Sequence, residues 1–243
     1  TLSLLCLFMR LKSEHTPWRT YMLIALLDAT LPFIMVAWGQ QYVDSAIAAV
    51  VMGCIPFVTI LAAPLFISGE RITKGGLLSV AIGFVGVLVL FWPKLANGMN
   101  AGLLGAMAIL FGASCFAIGL LMIKRFAKDH PVVVARNILI SSAIQLLLAA
   151  PFVTDLSALT LPSQQASGAV TVLGVVCTGL VYFLYMALIQ KAGPTVASFS
   201  NYLVPLFGVM LGALFLGEQI QSTTGVALAL ILMFLYPLNK TRV

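Results

Sequence analysis

Eight stretches of this chain, approximately residues 20–42, 44–67, 73–92, 101–123, 131–153, 168–190, 194–216 and 221–238, are long and apolar enough to cross a bilayer. A spanning helix takes about 20 mostly apolar residues. Inside hydrocarbon every backbone N–H and C=O must be satisfied within the chain, so these runs are predicted to be helices and not strands of an open sheet. Short polar breaks separate them: Asp44-Ser45, Gly69-Glu70, Pro93 to Asn100, Asp129-His130-Pro131, Gly193-Pro194 and Gly217-Glu218. Pro131 and Pro194 suit a first helical position, where the missing N–H costs nothing. Composition agrees, with 61% hydrophobic and 8% charged residues against roughly 25% charged in a soluble domain. A water-soluble fold of this length has too little interior to hide that apolar surface. The expected class is an all-α integral membrane protein.

The few charges set an orientation. Cytoplasmic loops of membrane proteins are enriched in Lys and Arg. With Arg10, Lys12 and Arg19 placed inside, alternation also puts Arg71, Lys74, Lys124, Arg125, Lys128, Lys191, Lys240 and Arg242 inside. Lys94 alone falls outside, and Arg136 lies within a span. The net charge of +6 is therefore a topology signal in an inner (plasma) membrane with a cytoplasmic C-terminus, and nucleic-acid binding is not expected. Cys6, Cys54, Cys115 and Cys177 stand apart in apolar runs, which is neither a metal pattern nor a disulfide framework. No metal or cofactor is expected.

One phrase occurs twice. Residues 44–72, DSAIAAVVMGCIPFVTILAAPLFISGERI, parallel residues 193–220, GPTVASFSNYLVPLFGVMLGALFLGEQI, when Pro56 is set against Pro205. Each copy has a helix start, a proline, a small-residue face, then Leu-Phe and Gly-Glu (Gly69-Glu70 and Gly217-Glu218), and each is followed by one more apolar helix. An odd number of spans separates the two corners, so they are expected on opposite membrane faces: an inverted repeat, the architecture of many transporters. The repeats are assigned to residues 1–96 and 97–243. Two helices precede the aligned trio in the second copy, but only residues 1–12 do so in the first. Residues 1–9, TLSLLCLFM, are apolar yet too short to span. On this reading about 40 residues precede them in the intact protein, which then has ten transmembrane helices, about eight complete plus a partial one lying in this chain.

Two five-helix repeats, each ending in this proline and Gly-Glu pattern, resemble the EamA-type members of the drug/metabolite transporter superfamily. HPVVVARNILISSAIQLLL (130–148) is similar to that family's second helix of a repeat, with an Arg in an apolar run. The resemblance implies a secondary transporter of small organic metabolites such as amino acids, usually outward, by alternating access.

Candidate site residues follow from the cost of polarity in lipid. Asp28 lies about 12 Å and Arg136 about 8 Å into their helices, both counted from the cytoplasmic side. A charge pair lining the cavity is one reading; a static pair, or Arg136 reaching back to the interface, is the other. Asp28 is also a candidate carrier of a coupling proton, since burial and neighbouring charge both shift a carboxyl group's proton affinity. Trp38 and Gln40 either anchor to headgroups or face substrate. Tyr182 and Tyr185 share a helix face, and Asn201 requires either a cavity or a neighbouring helix. Pro32, Pro56, Pro64 and Pro205 are candidate helix breaks, with Pro32, Pro56 and Pro205 the candidates for gating. Gly105, Gly112 and Gly119, like Gly208 and Gly212, read as close-packing faces. In the Gly-Glu corners the Gly permits a left-handed turn and the Glu caps the next helix, a structural role.

Two other classes fit the sequence less well. A membrane-embedded enzyme lacks support, because His15 and His130 lie in loops and no G-x-S-x-G elbow occurs. A non-transporting scaffold leaves the intramembrane Asp28 and Arg136 unexplained. The absence of G-x-x-x-x-G-K-[ST] argues against ATP use by this chain, and the expected partners are the bilayer, a small-molecule substrate and protons.

Overall fold

The computed structural model describes residues 13, 15–43, 45–96, 102–153 and 163–203, together with 207, 214 and 226. Pro205, Gly208, Gly212, Gly217 and Glu218, the second corner and the last expected span apart from residue 226 lie outside the described residues. Within them the secondary structure is helical, with no strand. Five helices are long and apolar enough to cross a membrane: Trp18–Gly39, Ala48–Phe66, Leu103–Phe126, Pro131–Phe152 and Gln164–Ala192. We label the elements α1 (Trp18–Gly39), α2 (Ser45–Met52), α3 (Ile55–Phe66), α4 (Lys74–Ala96), α5 (Leu103–Phe126) and α6 (Pro131–Val153). They continue with α7 (Gln164–Ala192) and α8 (Pro194–Ser198).

Prolines shape two of these helices. Pro32 has no N–H, and its ring crowds the carbonyl four residues back, which is that of Asp28. Helix α1 absorbs this by widening over Leu26–Thr30 into a π turn, in which the N–H of Leu31 bonds the carbonyl of Leu26. Pro56 was expected to interrupt the helix over 44–67. The break falls just before it: α2 stops at Met52, and Pro56 occupies the first turn of α3, where its missing N–H is tolerated. A second wide turn, Leu173–Leu180, interrupts α7. It begins after 9 residues of helix, and the one in α1 begins after 8.

Glycines set the distance between α1 and α5. A Cβ added at Gly119 would lie 2.8 Å from both Cα and Cβ of Asp28. At Gly112 it would meet Cβ of Met35 at 3.1 Å, and at Gly105 the carbonyl oxygen of Gly39 at 2.7 Å. The seven-residue spacing thus becomes one seam along which the two backbones touch, the packing role expected for this face. Tyr202, buried beyond α8, fits against Gly83 of α4 in the same way and donates to the carbonyl of Val80 at 3.1 Å.

The basic loops gather at one end. Asp129 ties them: its carboxylate accepts from the Tyr21 hydroxyl at 2.6 Å, the His15 amide at 3.0 Å and the Ser13 hydroxyl at 3.1 Å. Its carbonyl accepts from Gln190 Nε2 at 3.0 Å. Nearby, Lys124 Nζ donates to the carbonyl of Gln190, and Arg125 to that of Leu65 at 3.4 Å. Tyr21 opens α1 and Gln190 closes α7, so these two helices run antiparallel with their wide turns at matching distances from opposite ends. At the Gly69-Glu70 corner, which joins this same end, Gly69 takes φ +90° as a glycine turn requires. The cap on α4 is not Glu70, as expected, but Thr73, whose hydroxyl accepts from the Gly76 amide at 3.1 Å. Its oxygen sits one residue before the helix, the geometry a side-chain cap needs.

Gly119→Ala is expected to destabilise the protein by about 1–3 kcal/mol, because a methyl group there overpacks the seam. Gly168→Ala, at an open helical position with nothing within 4 Å, is expected to be neutral or to stabilise by up to about 1 kcal/mol. Thermal unfolding of the two variants in detergent compares them directly.

Candidate functional site

The π turn of α1 holds Asp28 fully buried at mid-helix. Its Oδ2 accepts the hydroxyl proton of Tyr182 from α7, while its Oδ1 has no partner. Two residues on, Thr30 Oγ1 donates to Gln145 Oε1 of α6 at 2.6 Å and stands 3.2 Å from Ser142 Oγ. Gln145 Nε2 in turn donates to the carbonyl of Met22 at 2.7 Å. Polar side chains thus join α1 to α6 and α7 at the level where the helix is widest, and each would be costly in lipid without such partners.

Beside this junction is a cavity of about 570 Å³. Ala29 and Phe33 of α1, Phe116 of α5, Ser142 of α6, and Tyr182 and Tyr185 of α7 contribute to its wall, together with Ser200 and Asn201 beyond α8. Phe116 and Tyr185 stack with ring centroids 6.3 Å apart. The Tyr185 hydroxyl is buried, with Ser200 and Asn201 beside it but outside hydrogen-bond geometry.

The order of residues along each helix shows which end is shut. On α1 the cavity residues 29 and 33 lie beyond the core residues Tyr21 and Ile24, counted from the basic end; on α6, Ser142 lies beyond Val134 and Ile138. On α5 and α7, which run toward that end, the core residues Leu120 and Ile123, and Met186 and Ile189, come after the cavity residues. An apolar plug, backed by the Asp129 hydrogen bonds, therefore separates the cavity from the basic loops.

Of the residues expected at the site, Asp28, Tyr182, Tyr185 and Asn201 come together. Arg136 does not join them: its Nε donates to Asn137 Oδ1 at 2.8 Å, and among the described residues no ion pair links it to Asp28. Trp38 and Gln40 lie at the opposite end of α1, with Trp38 packed on Tyr42 at 4.8 Å and both Gln40 and Trp38 exposed. Pro32 is buried against Gly112, and Pro56 is buried at the start of α3. Asp129 was read only as punctuation, since its partner Tyr21 is 108 residues away. Thr30, Ser142 and Gln145 were likewise passed over, although polar side chains inside spanning segments are signal enough to find them.

The profile of the EamA-like transporter family matches residues 1–92 and 103–239. The chain belongs to that family. The inner membrane transporter YedA of Escherichia coli K12 is 27% identical over 79% of this chain and 61% of its own length. A Salmonella typhimurium protein named "Probable amino-acid metabolite efflux pump" is 26% identical over 79% of this chain and 66% of its own length. The chain thus spans less than two thirds of either relative. A solved crystal structure superposes with a TM-score of 0.74 at 18% identity, covering 90% of this chain and 74% of the other, which shows a shared fold. This EamA-family protein is accordingly a multi-pass membrane transporter.

Because Tyr182 supplies the hydrogen bond that the described residues give Asp28, the two side chains are expected to be coupled. In a double-mutant cycle of Asp28→Asn and Tyr182→Phe, unfolding free energies should reveal an interaction of about 0.5–3 kcal/mol.

Proposed function

We propose that this EamA-family protein is a secondary transporter that exports small organic metabolites, amino acids among them, by alternating access. The observation that carries this reading is the cavity beside Asp28, walled by several helices and sealed on the side of the basic loops. A carrier needs a site that can be shut from one face at a time, and binding sites near mid-membrane where helices are interrupted are a recurring solution. The wide turn at Leu26–Thr30 and the break before Pro56 supply such interruptions. The Salmonella relative's name supports the metabolite class.

In this reading the chain comprises most of two inverted repeats, residues 1–96 and 97–243, of a ten-helix protein. The antiparallel run of α1 and α7, with wide turns at matching distances from their starts, supports the inversion. The basic loops face the cytoplasm of an inner membrane, so the structure corresponds to a state closed on the cytoplasmic side, and the C-terminus lies on that side too. Opening inward requires the Asp129 hydrogen bonds and the apolar plug to part. Asp28 carries a coupling proton, and Tyr182 holds it in place.

The test is counterflow and proton-driven flux in proteoliposomes across a panel of amino acids and other small metabolites. Wild-type protein is expected to exchange at least one of them. Asp28→Asn is expected to flatten the dependence of driven flux on pH while leaving counterflow measurable. A wild-type protein that moves none of the panel removes the transport reading, and an unchanged pH profile in the variant removes Asp28 as the coupling group.

A further inference from the structure

Three polar groups on the cavity wall have their direction set by the protein. The Tyr182 hydroxyl gives its proton to Asp28, so its oxygen has only lone pairs left for anything beside it. Asn201 donates through Nδ2 to the carbonyl of Ser198 at 2.8 Å. A carbonyl can only accept, so this bond fixes which way the amide points and leaves Oδ1 as the free end. Ser200 donates to the carbonyl of Ala197 at 2.8 Å, which again leaves lone pairs. These three groups therefore offer acceptors to the cavity, while the second N–H of Asn201 and the unpartnered hydroxyl of Tyr185 remain donors. No described residue of the lining carries a positive charge, and the Asp28 carboxylate lies one phenol behind the wall with Oδ1 unpartnered. The aromatic rings of Phe33, Phe116, Tyr182 and Tyr185 complete the surroundings.

A carboxylate entering this space finds donors on Tyr185 and Asn201 but no cation among the described lining residues, and behind Tyr182 it meets the Asp28 carboxylate of its own sign. A protonated amine finds acceptors on Tyr182, Asn201 and Ser200, the faces of aromatic rings and a nearby acidic group. We infer that the cavity recognises its ligand through a protonated amine borne on an apolar or aromatic body, with Tyr182 and Asn201 as acceptors and Asp28 as the charge behind them. It rests on the reading of this cavity as the transport site and adds that the amine end of a metabolite, not its carboxylate end, is what the protein selects.

Four compounds on one frame separate the possibilities: 2-phenylethylamine, phenylalanine, 3-phenylpropionate and 2-phenylethanol, each measured for direct binding to the purified chain and for counterflow in proteoliposomes. The amine is expected to bind at least about tenfold more tightly than the alcohol or the acid, the factor one charge-assisted hydrogen bond supplies. Asp28→Asn is expected to erase that preference, so that amine and alcohol bind alike in the variant. Where that variant does not fold, Asn201→Leu removes one acceptor and is expected to weaken amine binding about fivefold. Equal or tighter binding of the acid or the alcohol by wild-type protein, no amine binding at all, or an amine preference that survives in the folded variant overturns the inference. Flux of other metabolites without amine preference overturns it while the transport reading stands. Amine binding with no flux of any compound supports it and removes the transport reading.

Discussion

A carboxyl group in hydrocarbon has no water to turn to, and much of this molecule is arranged around the one that α1 carries at mid-membrane depth. Burying a polar group without a partner costs on the order of 1–3 kcal/mol, and more when it is charged. Asp28 is brought to Tyr182 by three local features acting together. Pro32 opens the helix at that level, Gly119 lets α5 come up against the Asp28 backbone, and the antiparallel course of α7 delivers the phenol. With Asp28 held there, the widened helix and the neighbouring polar bonds from Thr30 to α6 keep side chains from filling the adjacent space. The cavity lies where ordinary helix packing is interrupted.

The same arrangement sorts the molecule into two regions. Toward the basic loops the side chains are aliphatic and interlocked, and the loop ends are tied through Asp129. Away from them the helices hold an open space with aromatic and hydroxyl-bearing walls. Apolar side chains at close-packed density resist gradual deformation, so in the proposed alternating-access cycle the plug parts as a unit. A carrier that exposes one side at a time needs such a two-state barrier. The glycine seam between α1 and α5 offers a second kind of contact, smooth and close, in which the two backbones touch.

Much of the site was legible in the sequence because lipid makes polarity conspicuous. Asp28, Tyr182, Tyr185 and Asn201 stood out as polar or amphipathic groups in apolar runs, and the structure gathers them. Gly105, Gly112 and Gly119 announced a packing face by spacing alone. The expected partnership of Asp28 with Arg136 rested on similar depth in two helices, and depth says nothing of rotation about a helix axis; Arg136 turns to Asn137. Pro56 was a candidate helix break, and the break falls just before it, between Met52 and Ile55, a side that a run of apolar residues does not mark. Glu70 was favoured as a cap for its charge, yet Thr73 stands at the position from which an oxygen reaches a free amide.

By itself, the sequence determined the membrane class, the positions of five spans among the described residues, the end at which the basic loops gather and the family, since each depends on composition, length or order along the chain. Only the tertiary structure decided that Tyr182 and not Arg136 meets Asp28, that Asp129 fastens loops more than a hundred residues apart, and that the cavity is shut toward the basic end. Those outcomes depend on helix rotation and on which backbones approach closely, and neither quantity is carried by periodicity in a helix that is apolar on every side.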